Sequence, residues 1–121
     1  ISCSLVGSEM CIRDRVMIKG IGVDICDLRR LTSLDSLAKK ILHEEELKIF
    51  CQKKNEKAKR EFLGGRFAVK EAYIKACGPA SLKEICCLND QQGCPYLLNR
   101  NGHVSISHEN NYAVAFVVVE E

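Results

Sequence analysis

Glu71 and Lys75 lie four residues apart in a stretch, Phe62 to Ala76, that carries Phe62, Phe67, Ala68, Ala72 and Ile74 and no proline. On a helix that spacing makes them neighbours one turn apart, with Arg66 and Lys70 on adjoining faces. A Glu–Lys pair of this kind is most often a surface ion pair of about 0.3–0.5 kcal/mol. Alone it defines no chemistry. Its surroundings add more: between Lys53 and Lys75 there are eight Lys or Arg against three Glu, whereas the remaining residues carry ten basic and thirteen acidic groups. The overall charge of +2 therefore hides a local basic block. Such a block suits a polyanionic partner, either phosphate-rich or an acidic protein, and otherwise reads as a solvated helix face.

Other reactive side chains say less. The eight cysteines, at 3, 11, 26, 51, 77, 86, 87 and 94, contain no C-x-x-C pair, and His43, His103 and His108 form no finger pattern. They read as reduced thiols, several of them serving as small apolar core residues, and zinc is not expected.

The elements that must position these groups follow from periodicity. Ile18 to Cys26 is rich in Ile and Val and alternates, which predicts a strand ending at or near Asp24. Ser33 and Asp35 are possible caps for a helical stripe of Leu37, Ile41, Leu42, Leu47 and Phe50, with a break near Glu44. Lys53 to Arg60 is polar and reads as a helix end or a loop. The helix holding Glu71 is expected to be entered after Gly64-Gly65 and to end at Gly78-Pro79. Leu82 to Leu88 and Pro95 to Leu98 make one hairpin around Asn89-Asp-Gln-Gln-Gly93. Val104 to His108 and Tyr112 to Val119 make another around Glu109-Asn-Asn111.

A chain of 121 residues allows one domain, with 46% hydrophobic and 28% charged residues in ordinary globular proportion. A single subunit of this size has a marginal core, which assembly would remedy. The longest apolar run, Ala113 to Val119, is seven residues, far short of the roughly 20 that span a bilayer. The expected setting is cytoplasmic, without a membrane. Residues 1–16 fit neither period, and Ser8-Glu-Met-Cys-Ile-Arg-Asp-Arg15 is similar to a translated sequencing-adaptor remnant. The expectation is a non-native segment 1–16 and a domain from Met17 to Glu121.

Two segments together lift the reading further. Ile21-Gly-Val-Asp24 and, about 45 residues on, Gly65-Arg-Phe-Ala-Val-Lys-Glu-Ala-Tyr-Ile-Lys75 resemble the paired signature of phosphopantetheinyl transferases, in the form of the small holo-acyl-carrier-protein synthase branch. Met17-Ile-Lys-Gly-Ile-Gly-Val-Asp-Ile25, Arg29-Arg-Leu31, Phe62-Leu-Gly-Gly-Arg-Phe-Ala68 and Val104-Ser-Ile-Ser-His108 also match. Leu88-Asn-Asp-Gln-Gln-Gly-Cys-Pro-Tyr96 looks like that family's Asn-Asp-x-x-Gly-Lys-Pro turn, with Cys94 in place of the lysine. The resemblance runs from Met17 to Glu120.

It implies an α+β fold of the 4′-phosphopantetheinyl transferase superfamily, a single small domain with helices packed on antiparallel strands, assembled as a homotrimer. It implies transfer of 4′-phosphopantetheine from coenzyme A to a serine of apo acyl carrier protein, with Mg²⁺ required and adenosine 3′,5′-bisphosphate released, in fatty acid biosynthesis. Asp24 and Glu71 would be the Mg²⁺ ligands, and hard Mg²⁺ takes one or two carboxylates with phosphate and water. A bound water, Asp24 or Glu71 would accept the serine proton. Lys75 would stabilise the leaving phosphate. Arg66, the Lys57-Ala-Lys-Arg60 cluster (Lys59 and Arg60 foremost) and His108 would meet the nucleotide's 3′-phosphate. Arg30, with Arg29 and Lys39 or Lys40, would face the acidic carrier and steer encounter. His43 and His103 read as structural.

One departure is plain. The family's Gly-Thr-Gly-Ile loop and extra helix, which help frame the coenzyme pocket and the subunit contact, are replaced by Cys77-Gly-Pro-Ala-Ser-Leu82 and Asn99-Arg-Asn-Gly102. The competing reading is a small basic nucleic-acid-binding module using Lys53 to Lys75 as its phosphate face. It explains the charge block but neither motif, and it lacks interleaved aromatics. The larger transferase type that modifies peptide-synthetase carriers needs a chain about twice as long.

Overall fold

The computed structural model describes residues 17–121, and the reading of 1–16 as non-native lies outside the described residues. Strand β1 (Ile18–Asp27) passes through a single 3₁₀ turn, Leu28–Arg30, into helices α1 (Leu34–Ile41), α2 (Glu44–Gln52) and α3 (Glu56–Cys77). A second 3₁₀ turn, Leu82–Glu84, precedes the short hairpin β2 (Cys87–Asn89) and β3 (Pro95–Leu97) and the long hairpin β4 (Gly102–His108) and β5 (Tyr112–Glu120). β5 is the middle strand of an antiparallel sheet ordered β1-β5-β4, and among the described residues β2 pairs only with β3. This is the α+β arrangement expected.

The register decides which side chains meet α3. Gly22, Asp24 and Cys26 stand opposite Val117, Ala115 and Ala113, which in turn oppose Val104, Ile106 and His108. These residues share one face because strand side chains alternate. α3 lies across that face, and its Ala68, Val69, Ala72 and Tyr73 join the core. The approach is too close for a side chain: a Cβ on Gly22 would sit 2.0 Å from the Ala72 carbonyl oxygen, and one on Gly20 1.9 Å from that of Ala76. A second apolar cluster, Ala38, Ile41, Leu42, Phe50, Phe62 and Leu63, fastens α1 and α2 to the first half of α3.

The helix stripe breaks where expected, but by a device the sequence reading passed over. His43 caps α2: its Nδ1 accepts the Glu45 N–H at 3.0 Å, and Glu46 Oε1 accepts the His43 N–H at 2.9 Å. Ser33 holds the capping position of α1 with a left-handed φ of 50°, yet its side chain makes no cap bond.

Two expectations are corrected. α3 does not begin after Gly64-Gly65 but at Glu56, where the Asn55 side chain accepts the Ala58 N–H at 2.8 Å. The glycines are mid-helix because they are packing sites, Gly64 against Leu28 and Gly65 against Ile106. The helix does end at Cys77, with Gly78 at φ 101°. Strand β2 is also shorter than the Leu82–Leu88 expected, because Lys70 takes up the Leu82 and Ile85 carbonyls in place of a ladder.

The basic block is not a continuous face either. Lys70 is fully buried in an ion pair with Glu46 at 2.6 Å, and burial pulls its ammonium below the ordinary lysine range against the raising effect of that carboxylate. Arg66 is buried as well.

Candidate active site

Asp24 projects from the α3-facing side of β1, and Lys75 crosses to it from the last turn of α3. The Lys75 ammonium donates to Asp24 Oδ1 and to the Val23 carbonyl, both at 3.1 Å. Asp24 is mostly covered, whereas Lys75 keeps more than half its side chain in solvent. Glu71 sits one turn before Lys75, next to the Ala72 carbonyl that touches Gly22. Among the described residues its carboxylate has no ion-pair partner. The structure thus joins Asp24 and Lys75, 51 residues apart in sequence, with Glu71 one helical turn before Lys75. Two carboxylates beside one ammonium offer oxygen donors to a hard cation. Among the described residues no cluster of three or more His, Cys, Asp or Glu could cage one. That donor set fits Mg²⁺, which keeps waters and substrate phosphate in its shell, better than a closed protein cage.

Arg66, two and a half turns before Lys75 on α3, turns toward the β2 hairpin. Its Nε donates to the Cys87 carbonyl at 3.1 Å and an Nη to Asn89 Oδ1 at 2.8 Å, and its guanidinium lies 4.4 Å from the Phe62 ring centroid. It lines a cavity of about 200 Å³ with Lys53, Glu61, Gly65, Asn89 and His108. His108 reaches this cavity from the end of β4, its Nδ1 4.0 Å from Glu61 Oε2. Three of these groups bear or can bear positive charge, and the guanidinium spends two of its five N–H groups on β2. The remainder suits a phosphate.

Lys59 and Arg60 are not brought to that cavity. Arg60 donates to the Leu31 carbonyl at 2.6 Å and pairs with Glu56 at 2.8 Å. Lys59 lies 3.8 Å from Asp35 and 5.3 Å from the Phe50 ring centroid. Both line a separate cavity of about 470 Å³ between the start of α1 and the α2–α3 loop. Lys53, Glu61 and Asn89 are the wall residues that the sequence reading missed. A helix extended back to Glu56 is the signal for one of the three, Glu61, because Ala58, Glu61 or Phe62, and Gly65 or Arg66 then fall on one side.

Of the three residues expected to meet a protein partner, Arg29 is tied down locally. It chelates Asp27 at 3.0 and 3.1 Å and donates to the Tyr112 hydroxyl at 2.8 Å. That hydrogen bonding holds the Asp27 carboxyl below the usual carboxylate range. Arg30 and Lys40 are exposed at the end of the 3₁₀ turn and near the end of α1.

Comparison with known proteins identifies the family. The family model described as the 4′-phosphopantetheinyl transferase superfamily matches residues 20–117. A holo-[acyl-carrier-protein] synthase of Geobacillus sp. (strain WCH70) is 45% identical over 118 aligned positions, covering 86% of this chain and 98% of its own. The aligned positions outnumber the residues of this chain that they cover, so the relative carries residues this chain lacks. The Bacillus subtilis (strain 168) synthase is 42% identical, covering 86% and 97%. A crystal structure of the Bacillus anthracis synthase in complex with CoA (3′,5′-ADP) superposes with a TM-score of 0.80 at 41% identity, covering 87% of this chain and 98% of that one. The chain therefore belongs to the 4′-phosphopantetheinyl transferase superfamily, within its holo-[acyl-carrier-protein] synthase branch.

Proposed function

We propose that this enzyme moves the 4′-phosphopantetheine group of coenzyme A onto a serine of apo acyl carrier protein, in a Mg²⁺-dependent reaction that releases adenosine 3′,5′-bisphosphate. The observation that carries this reading is the Asp24–Lys75 pair at the β1–α3 seam, with Glu71 one turn away and the cation-lined Arg66–His108 cavity along the same helix. In the transfer, the serine oxygen bonds to the pantetheine-side phosphorus of the pyrophosphate and the bond to the nucleotide phosphate breaks. Bound between Asp24 and Glu71, Mg²⁺ would neutralise charge on the pyrophosphate. Lys75, already held at Asp24, directs a positive charge at the departing phosphate. Arg66, His108 and Lys53 hold the nucleotide's 3′-phosphate. The serine proton passes to water or to one of the carboxylates, Asp24 or Glu71.

The transferase domain is residues 17–121. Arg30 and Lys40, with Arg29 behind them, present charge to the acidic carrier and speed encounter, an effect weakened by salt. A homotrimer is supported by the outer face of the sheet. Ile21, Val23, Ile25 and Phe116 share that face and are 59%, 53%, 61% and 44% exposed, a contiguous apolar surface that a subunit contact would cover. The reaction belongs to fatty acid biosynthesis in the cytoplasm. Among the described residues no helix is long and apolar enough to cross a membrane.

The full chain, apo carrier, coenzyme A and Mg²⁺, followed by intact-mass spectrometry with an EDTA arm, tests the reaction. Gain of one phosphopantetheine only with free metal is the expected result. No gain from folded enzyme refutes it. Light scattering tests the trimer: the parent chain should give three subunits and Val23→Lys fewer, and a monomeric parent would remove the assembly.

A further inference from the structure

Glu46 has no task in the transfer, yet its carboxylate is among the most committed groups in the molecule. It is fully buried on α2. Oε1 accepts from the Lys70 ammonium at 2.6 Å and from the His43 N–H at 2.9 Å, and Oε2 accepts from the Cys87 N–H at 2.8 Å. Lys70, equally buried, spends its other protons on the Leu82 and Ile85 carbonyls. A buried ion pair is weak evidence for stability, because a well-packed apolar pair in its place is often neutral or better. Its use lies in what it holds.

Cys87 is the shared point. Its N–H goes to Glu46, and its carbonyl takes the Arg66 Nε at 3.1 Å. Two residues on, Asn89 Oδ1 takes an Arg66 Nη at 2.8 Å. β2 is three residues long and among the described residues pairs only with β3, and a two-stranded ribbon is marginal by itself. The polar groups that reach it from the helices are Glu46 and Arg66, while Lys70 takes the Leu82 and Ile85 carbonyls just before it. Arg66 points into the phosphate cavity.

We propose that Glu46 is a positioning residue for coenzyme A selectivity: through Lys70 and the Cys87 backbone it fixes β2 where the Cys87 carbonyl and Asn89 aim the Arg66 guanidinium at the 3′-phosphate. The inference rests on the reading that Arg66 meets that phosphate. Glu46 itself touches no substrate. A carboxylate that only supports the fold would change how much enzyme is folded and would leave the choice between ligands alone.

The test measures kcat/KM with coenzyme A and with 3′-dephospho-coenzyme A for the parent, Glu46→Gln, Glu46→Leu/Lys70→Met and Arg66→Gln. The ratio of the two values does not depend on the folded fraction. The double variant replaces the pair by apolar groups, so it stays measurable if Glu46→Gln, which strands a buried ammonium, does not fold. Preference for coenzyme A should drop by about tenfold or more in both Glu46 variants and in Arg66→Gln, the scale of one charge-assisted hydrogen bond. Parental preference in whichever Glu46 variants fold, with the preference lost in Arg66→Gln, overturns the proposal and leaves the Arg66 reading standing. Parental preference in Arg66→Gln removes both.

Discussion

Gly22→Ala is the smallest change that should break both fold and site. The added Cβ would lie 2.0 Å from the Ala72 oxygen, 2.9 Å from its carbonyl carbon and 3.1 Å from the Ala76 nitrogen. All three are backbone atoms of α3, so no rotamer can relieve the contact. β1 and α3 must part by about 1 Å before the contact becomes tolerable. Overpacking a core commonly costs about 1–3 kcal/mol when side chains can yield. With main chain on both sides, the expected loss is at the top of that range, about 3 kcal/mol, or a fall in Tm of about 12 °C or more. The wedge sits two residues from Asp24 and one from Glu71, so it also spreads the carboxylates. A displacement of about 1 Å in a catalytic constellation costs on the order of 100-fold in rate. Circular dichroism melts and the carrier-loading assay, normalised to folded enzyme, read the two effects. Ala72→Gly should not rescue the variant, because the obstacle is the carbonyl and not the methyl group. A melt within about 3 °C of the parent with full turnover would refute the backbone contact.

Gly65→Ala should do the reverse: its Cβ would meet only the Ile106 methyl at 3.5 Å, so losing a mid-helix glycine should stabilise the fold by about 0.5–1 kcal/mol. Because Gly65 lines the 200 Å³ cavity, the same variant should raise KM for coenzyme A, and an unchanged KM would count against that cavity as the nucleotide site. Asp24→Asn and Glu71→Gln should each lower kcat by about 10²-fold or more with little change in the melt, and parental kcat in either would remove the metal assignment. Burial raises the thiols of Cys26, Cys86 and Cys87, that of Cys86 to about 11. The folded chain thus keeps protons that an unfolded thiol loses from about pH 8.5, so stability falls between there and pH 11. Lys70, lowered by burial, has the opposite slope, so the decisive comparison is Cys86→Ala, whose stability should fall less across that range than the parent's. Equal slopes would contradict the burial effect.

The three-stranded sheet was legible because β1, β4 and β5 alternate against a face covered by α3, and the meeting of Asp24 with Lys75 was legible because two motifs name both residues. The start of α3 was not. Gly64-Gly65 reads as a break by propensity, whereas Leu28 and Ile106 press on the helix there and tertiary contact outweighs the glycine penalty. That error hid the cavity, since Lys53, Glu61 and Arg66 line one wall only if the helix and its approach run unbroken from Asn55. The resemblance groups Lys59 and Arg60 with Arg66, although they leave the helix toward α1. Lys70 reads as surface charge from sequence because its partner Glu46 is 24 residues away, and nothing local announces a buried pair.

Gly20 and Gly22 stand about 7 Å apart along β1, and the Ala72 and Ala76 carbonyls they meet stand about 6 Å apart along α3. Strand and helix are two rulers with nearly equal divisions, engaged at two marks. The gauge between Asp24 and Glu71 is therefore written in main-chain repeat lengths, which every polypeptide shares, and not in the rotamers of the residues between. Exchanging side chains elsewhere on either element leaves it calibrated. Adding or removing one residue between Gly20 and Asp24, or between Glu71 and Ala76, shifts one scale against the other and puts the site out of measure, however well the rest of the chain still packs.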